Sequence, residues 1–268
     1  FGGPIDEAGR VVRSHHVDGW ERFPLVDWCR ETFGCPAAMA NDADAAALAE
    51  ARYGAGRGAD PVGYVTIGTG IGGGLVVGGR IYRGSGVGAC ELGHLRPGPD
   101  ATSPNDHLET WAAGWGIAAR ARHRAARALG ITLDEAAPFT EPNVEGDASA
   151  DASALRELAG GNLERLSAQQ VAEAAAAGNE LAVDVFANAR RMLGWALAQW
   201  ITLVAPERIV VGGGVSLSPA KLFFDPLQDE VARYVFPPFA EACRLVRGEL
   251  GEEVVVHGAI ALASDAAQ

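Results

Sequence analysis

The 268-residue chain contains a single lysine, Lys221, and the residue before it is Ala220, not a glycine. A P-loop needs a lysine beside the last glycine of its phosphate-binding turn, so that motif is excluded. Cysteine is scarce too: Cys29, Cys35, Cys90 and Cys243 are scattered without a CxxC pair. This indicates neither a disulfide framework nor a self-contained zinc finger, and it fits a reduced, cytoplasmic protein. No apolar run is long enough to span a bilayer, and the opening residues FGGPIDEAGR lack the charged start and apolar stretch of a signal peptide. Positive charge is in deficit, and a formal net charge of −12 argues against a nucleic-acid-binding surface.

Apolar residues and glycine are plentiful. A hydrophobic content of 48% can bury one large core or two moderate ones, and 35 glycines with 14 prolines suggest many short connections, so two lobes are expected. The chain is organised around residues 64–74, YVTIGTGIGGG. Val65, Thr66 and Ile67 favour a strand, and the glycines after them free the backbone to expose successive amides, which can form an anion-binding concavity. Leu75 to Val77 and Ile81–Tyr82 around Gly78–Gly79 predict a hairpin with a two-residue turn. A dinucleotide fingerprint would open a helix, and none follows here. The run alone also fits a tight hairpin with a bulge.

Residues 21–33 have helical spacing that ends at Gly34, and 36–39 is a short buried strand candidate. Asn41–Asp42 precedes a strong helix over 43–53, with Gly54 as its stop, so both residues can serve as helix caps. Cys90-Glu91-Leu92-Gly93-His94 sets a carboxylate and an imidazole three residues apart, a pair able to read neighbouring hydroxyls. A surface glutamate and a core histidine are the plainer alternatives. Residues 96–106 are expected to form a loop and 108–129 a long helix, with Glu109 in the first turn, where the helix dipole favours a carboxylate in any case. Residues 132–153 form an acidic, solvated insertion without a site. Ser167 to Gln170 has the form of a capping box, 181–203 is a long apolar helix, and a strand over 208–211 runs into Gly212-Gly213-Gly214-Val215-Ser216, a plausible place for a nucleotide to lie against backbone. Val254 to Val256 is expected as a strand, with Gly258 opening the closing helix.

GGPID at 2–6, NDADAAALAE at 41–50, TIGTGIGGG at 66–74, ELGH at 91–94, LETWAAG at 108–114, PERIVVGGG at 206–214 and HGAIALA at 257–263 span the chain from end to end. In this order and spacing they resemble the ROK family of sugar kinases and sugar-responsive repressors. The resemblance implies an α/β actin-like ATPase (ribonuclease H-like) fold, two lobes closing over ATP and a hexose, with the N-terminal lobe incomplete in this chain. Residues 1–42 would be the remainder of the small lobe, with 258–268 packing back on it, and 43–257 the large lobe. Asp42 would be the catalytic base. Asn41, Glu91, His94, Glu109 and Gly3 would hold the sugar, Gly68, Thr69 and Gly70 would cradle phosphates, and Gly212, Gly213 and Gly214 would flank adenosine. The implied cofactors are ATP and Mg2+, the substrate a glucose-like hexose or an N-acetylhexosamine, the assembly a homodimer and the location cytoplasmic. A sugar-sensing regulator or non-catalytic sugar-binding module is the alternative.

Two features depart from the family pattern. The DxGGTK phosphate loop of family members has no counterpart here, so a truncation, or a second chain supplying that segment, is expected. The family's CxCGxxGC cluster is replaced by Ser103-Pro104-Asn105-Asp106-His107, so no zinc is expected and the metal set is empty.

Overall fold

The computed structural model describes residues 1–6, 8–14, 17–85, 88–98, 101–134, 137, 139 and 148–267. Its centre is a five-stranded sheet formed by β1 (Val62–Ile67), β2 (Ile71–Val77), β3 (Arg80–Ile81), β4 (Arg208–Gly212) and β5 (Arg244–Arg247), in the order β3-β2-β1-β4-β5. β1 pairs antiparallel with β2 and parallel with β4, which puts Thr66 opposite Gly212 and brings both glycine turns to one edge of the sheet. The expected hairpin is present: Gly78 and Gly79 take φ of 57° and 73° between β2 and β3, values that glycine adopts without strain.

Side chains along β1 alternate between two cores, as strand geometry requires. Val62 and Tyr64 face a layer that includes α2 (Asp42–Tyr53), while Val65 and Ile67 face the larger helical layer. Because both faces are covered, β1 reads as a nearly continuous apolar run. The larger layer contains α3 (Leu108–Ala112), α4 (Gly114–Leu129), α5 (Ser149–Leu158), α6 (Ala168–Ala176), α7 (Glu180–Val204) and α8 (Phe224–Tyr234). The Ser167–Gln170 capping box opens α6 as expected. Before the sheet, α1 (Leu25–Phe33) starts after Pro24 and ends at Gly34 in the left-handed conformation. Among the described residues no helix is long and apolar enough to cross a membrane.

Four expectations are corrected. Residues 36–39 are coil, none of them buried, and pair with no strand among the described residues. The helix over 108–129 breaks at Ala113, whose ψ of 159° is extended, because the Gly114 amide leaves the helix ladder to donate to the Gly68 carbonyl at 2.8 Å. Val254 to Val256 are the first turn of α9 (Val254–Ala266), and the neighbouring strand is the more polar β5, which sequence reading passes over. Gly258 lies inside α9 and does not open it: a Cβ there would stand 2.1 Å from the Ala45 carbonyl oxygen, so the residue permits close crossing of α9 over α2. Half of the acidic segment, Glu135, Glu141, Glu145 and Asp147 included, falls outside the described residues. Its last part, from Ser149, forms α5.

Candidate functional site

The glycines of β2 bring the candidate residues together. A Cβ at Gly72 would stand 3.0 Å from the Ala43 Cβ, and one at Gly74 2.8 Å from the Ala47 Cβ and 2.9 Å from the Ala43 carbonyl, so the first turns of α2 lie directly on the strand. On the opposite face, a Cβ at Gly73 would meet the Cys90 carbonyl at 2.3 Å, which allows the segment carrying Glu91 and His94 to approach. Cys90 itself has φ of 60°, a strained value for a residue with a side chain, and it turns the chain into the 3-10 turn Leu92–His94. A Cβ at Gly70 would collide with Glu109 Oε1 at 2.5 Å. The run 70–74 is thus built for close approach from three directions as much as for anion binding.

Asn41 is the N-cap of α2: its Oδ1 accepts from the Ala43 amide at 2.8 Å, and its Nδ2 donates to the Gly3 carbonyl at 3.3 Å. Asp42 Oδ1 accepts from the same Ala43 amide at 2.9 Å, yet the side chain is exposed. Capping therefore falls chiefly to Asn41, and Asp42 Oδ2 is left toward Gly2, where a Cβ would stand 3.3 Å away. Glu109 Oε1 accepts from the Ile71 amide at 2.6 Å. Glu109→Ala is expected to lower stability by about 1–3 kcal/mol by leaving that amide unpaired, measured by urea denaturation, whereas Glu109→Gln keeps the acceptor and most of the stability. His94 is exposed, with its ring 5.4 Å from that of His107. No group of three or more His, Cys, Asp or Glu side chains able to hold a metal occurs among the described residues.

Gly3, Asn41 and Glu91 share a small cavity of about 20 Å³ with Asp44 and Arg83. On the other side of the glycine turns, Gly68, Thr69 and Gly214 line a cavity of about 930 Å³ together with Trp115, Phe186 and Ser167. Gly212 and Gly213 stand behind that wall: a Cβ on Gly212 would meet the Tyr64 hydroxyl at 2.4 Å, and Gly213, at φ of 85°, presses on the Ile67 backbone. The beginning of α6, read from sequence only as a capping box, borders this cavity. Its exposed Gln169 and Glu173 on an otherwise alanine-rich helix were the available signal.

Asp44 was also passed over. It is 6% exposed, and burial, partly offset by the attraction of Arg83, pushes its carboxyl up to about 6. An acidic residue two positions after Asp42 in an alanine helix was a visible cue. Between its ordinary value of 3.8 and about 6 the native chain holds a proton that the unfolded chain releases, so this group's contribution to stability is lost as pH rises through that window. Asp44→Asn is expected to be more stable than the parent at pH 7–8 by at most about 3 kcal/mol, and to show no such gain near pH 4, in denaturation at the two pH values.

The sheet and these two cavities define an α/β protein whose larger cavity lies at the carboxyl edge of a parallel strand pair. Residues 1–266 match the ROK family, and the chain belongs to it. It is 31% identical to a glucokinase of Thermotoga maritima over 97% of this chain and 76% of that protein. A crystal structure of a ROK family glucokinase from Streptomyces griseus, in complex with glucose and AMPPNP, superposes with a TM-score of 0.78 at 30% identity, covering 98% of this chain and 80% of that one. A ROK family transcriptional regulator, a homologue of the E. coli MLC protein, superposes at 0.74 with 26% identity over 99% of this chain and 61% of its own. The fold is the actin-like ATPase fold of these relatives.

Proposed function

We propose that the protein is a sugar kinase that transfers the γ-phosphoryl group of ATP to a hydroxyl of a glucose-like hexose or an N-acetylhexosamine. The observation that carries this reading is Asp42: an exposed carboxylate at the start of a helix seated on the strand that leaves the glycine turn, beside the small cavity and apart from the large one. Phosphoryl transfer depends on positioning and charge stabilisation, and it needs one carboxylate aligned to take the proton of the attacking hydroxyl. Asp42 takes that role. Asn41, Glu91, His94, Glu109 and the Gly3 backbone orient the sugar, with Asn41 itself held by Gly3.

A cavity of about 930 Å³ is large enough for a nucleotide, and its mixed wall of glycine backbone and the Trp115 and Phe186 rings suits phosphates and a base. Gly68, Thr69, Gly70 and Gly212 to Gly214 are the backbone positions assigned to it. Magnesium usually arrives on nucleotide phosphates and keeps several waters, so the lack of a protein cage among the described residues is compatible with it, and it would supply charge neutralisation at the phosphates. The same reading places the lobe boundary at Asn41–Asp42, with residues 1–42 and 258–268 on one side and 43–257 on the other, and makes the protein a cytoplasmic homodimer.

The regulator's match over nearly the whole chain favours one second reading, a sugar-binding module without turnover. A coupled ADP-release assay on the full-length gene product with a panel of hexoses separates the two. The kinase reading expects sugar-dependent ADP, and sugar binding without ATP turnover would transfer the case to the regulator.

A further inference from the structure

The small cavity contains an anomaly that the kinase reading leaves unexplained. Asp44 Oδ1 is buried and finds no hydrogen-bond donor among the described residues. A buried carboxylate without a partner is costly, and a nearby charge is the usual compensation. Among the described residues, the one cation lining that cavity is Arg83, which follows β3, is exposed, and donates through Nη2 to the Met39 carbonyl at 3.0 Å. Met39 lies two residues before Asn41, and Arg83 eight residues before Glu91, so this guanidinium bridges the two segments that carry the proposed sugar contacts.

We infer that Asp44 is a positioning residue of the hexose pocket: its negative charge draws Arg83 over the cavity, and Arg83 ties the segment leading into Asn41 and Asp42 to the segment leading into Glu91. The inference rests on the sugar-kinase reading of the site. The charged groups facing Asp44 are Arg83, which attracts it, and Glu91 and Asp42, which repel it, with the pull of Arg83 outweighing either repulsion alone. Asp6 also lines the cavity. The Cys90 thiol faces the cluster too and is pushed up to about 11, chiefly by burial and then by the Asp44 charge, so it stays neutral at ordinary pH. With Asp44 ionised, Arg83 is held in place. With Asp44 protonated, a long exposed arginine has little reason to stay ordered, and the two segments lose their tie.

The sign follows from the position of the group. The carboxyl of Asp44 is pushed up to about 6, so the tie is present above that pH and is lost below it. Hexose affinity is expected to fall as pH drops through about 6, approaching tenfold per pH unit, and by linkage hexose binding releases a proton there. The effect belongs to binding and not to the chemical step, so it appears in hexose KM and dissociation constant more than in kcat.

The test is hexose binding to the full-length gene product, followed by tryptophan fluorescence or calorimetry from pH 5 to 8, with a sugar identified by the activity panel. The parent is expected to show an acid limb near pH 6. Asp44→Asn should bind more weakly at pH 8 and show no such limb, and Arg83→Gln, an exposed change that should not disturb folding, should weaken binding at pH 8 and likewise flatten the limb, because the tie itself is gone. An acid limb unchanged in Asp44→Asn would overturn the inference. An acid limb that persists at full size in Arg83→Gln would overturn it independently. Failure of the parent to bind any hexose would instead remove the sugar-kinase reading, and this inference with it.

Discussion

Asp42→Asn is expected to lower hexose-dependent kcat by about 10²–10⁴-fold while leaving hexose affinity and the unfolding midpoint nearly unchanged. The size of the loss is that of a positioned general base. The insensitivity of stability follows from the cap: Asn41 Oδ1 already accepts from the Ala43 amide at 2.8 Å, and an asparagine at 42 still offers an oxygen to the same donor. The exposed carboxylate of Asp42 leaves behind no buried partner when its charge is removed. Steady-state kinetics beside urea denaturation measure both halves. An equal fall in kcat and in stability would make Asp42 a structural cap and remove it from the chemistry.

The second large effect belongs to Gly74. Gly74→Val introduces a branched side chain whose Cβ would stand 2.8 Å from the Ala47 Cβ, 2.9 Å from the Ala43 carbonyl and 3.1 Å from the Asp44 Cα. Two of those three atoms are backbone of the helix that carries Asp42, so the strain is relieved only by lifting α2 from β2. Overpacking of this kind costs about 1–3 kcal/mol or more. A shift of about 1 Å in the base can cost on the order of 10²-fold in rate. The variant is therefore expected to lose stability and kcat together. Gly78→Ala is the control: nothing lies within 4 Å of its Cβ, and its φ of 57° predicts a loss of only about 1 kcal/mol and normal turnover. Thermal unfolding and kinetics on the pair distinguish displacement of the helix from general destabilisation.

Much of the architecture was legible where the signal is local. The Gly78–Gly79 turn, the Ser167 capping box and the Gly34 and Gly54 stops are written in residue types whose backbone or capping preferences act within a few positions. What was illegible depends on distant partners. The break at Ala113 exists because the Gly114 amide bonds Gly68, forty-odd residues earlier in the chain, and the three valines at 254–256 are helical because α9 packs on α2. Residues 36–39 are apolar but contain no β-branched or aromatic residue, and they have no neighbouring strand among those described. The site was legible as a set of residues and only partly as an arrangement. Asn41, Glu91 and Gly3 share one cavity, whereas His94 does not line it, and Gly212 and Gly213 stand behind the wall that Gly214 lines. The cue at Asp44 was its position in an alanine helix two residues after Asp42, but its burial and its raised proton affinity depend on distant residues such as Arg83 and Glu91, which local sequence does not reveal.

The most direct measurement is 31P NMR of the full-length gene product incubated with ATP, magnesium and the preferred hexose, run in parallel with Asp42→Asn. The account predicts stoichiometric ADP and a hexose phosphate resonance from the parent, and neither above background from the variant at equal concentration. ADP with inorganic phosphate alone, or undiminished hexose phosphate from Asp42→Asn, would contradict it.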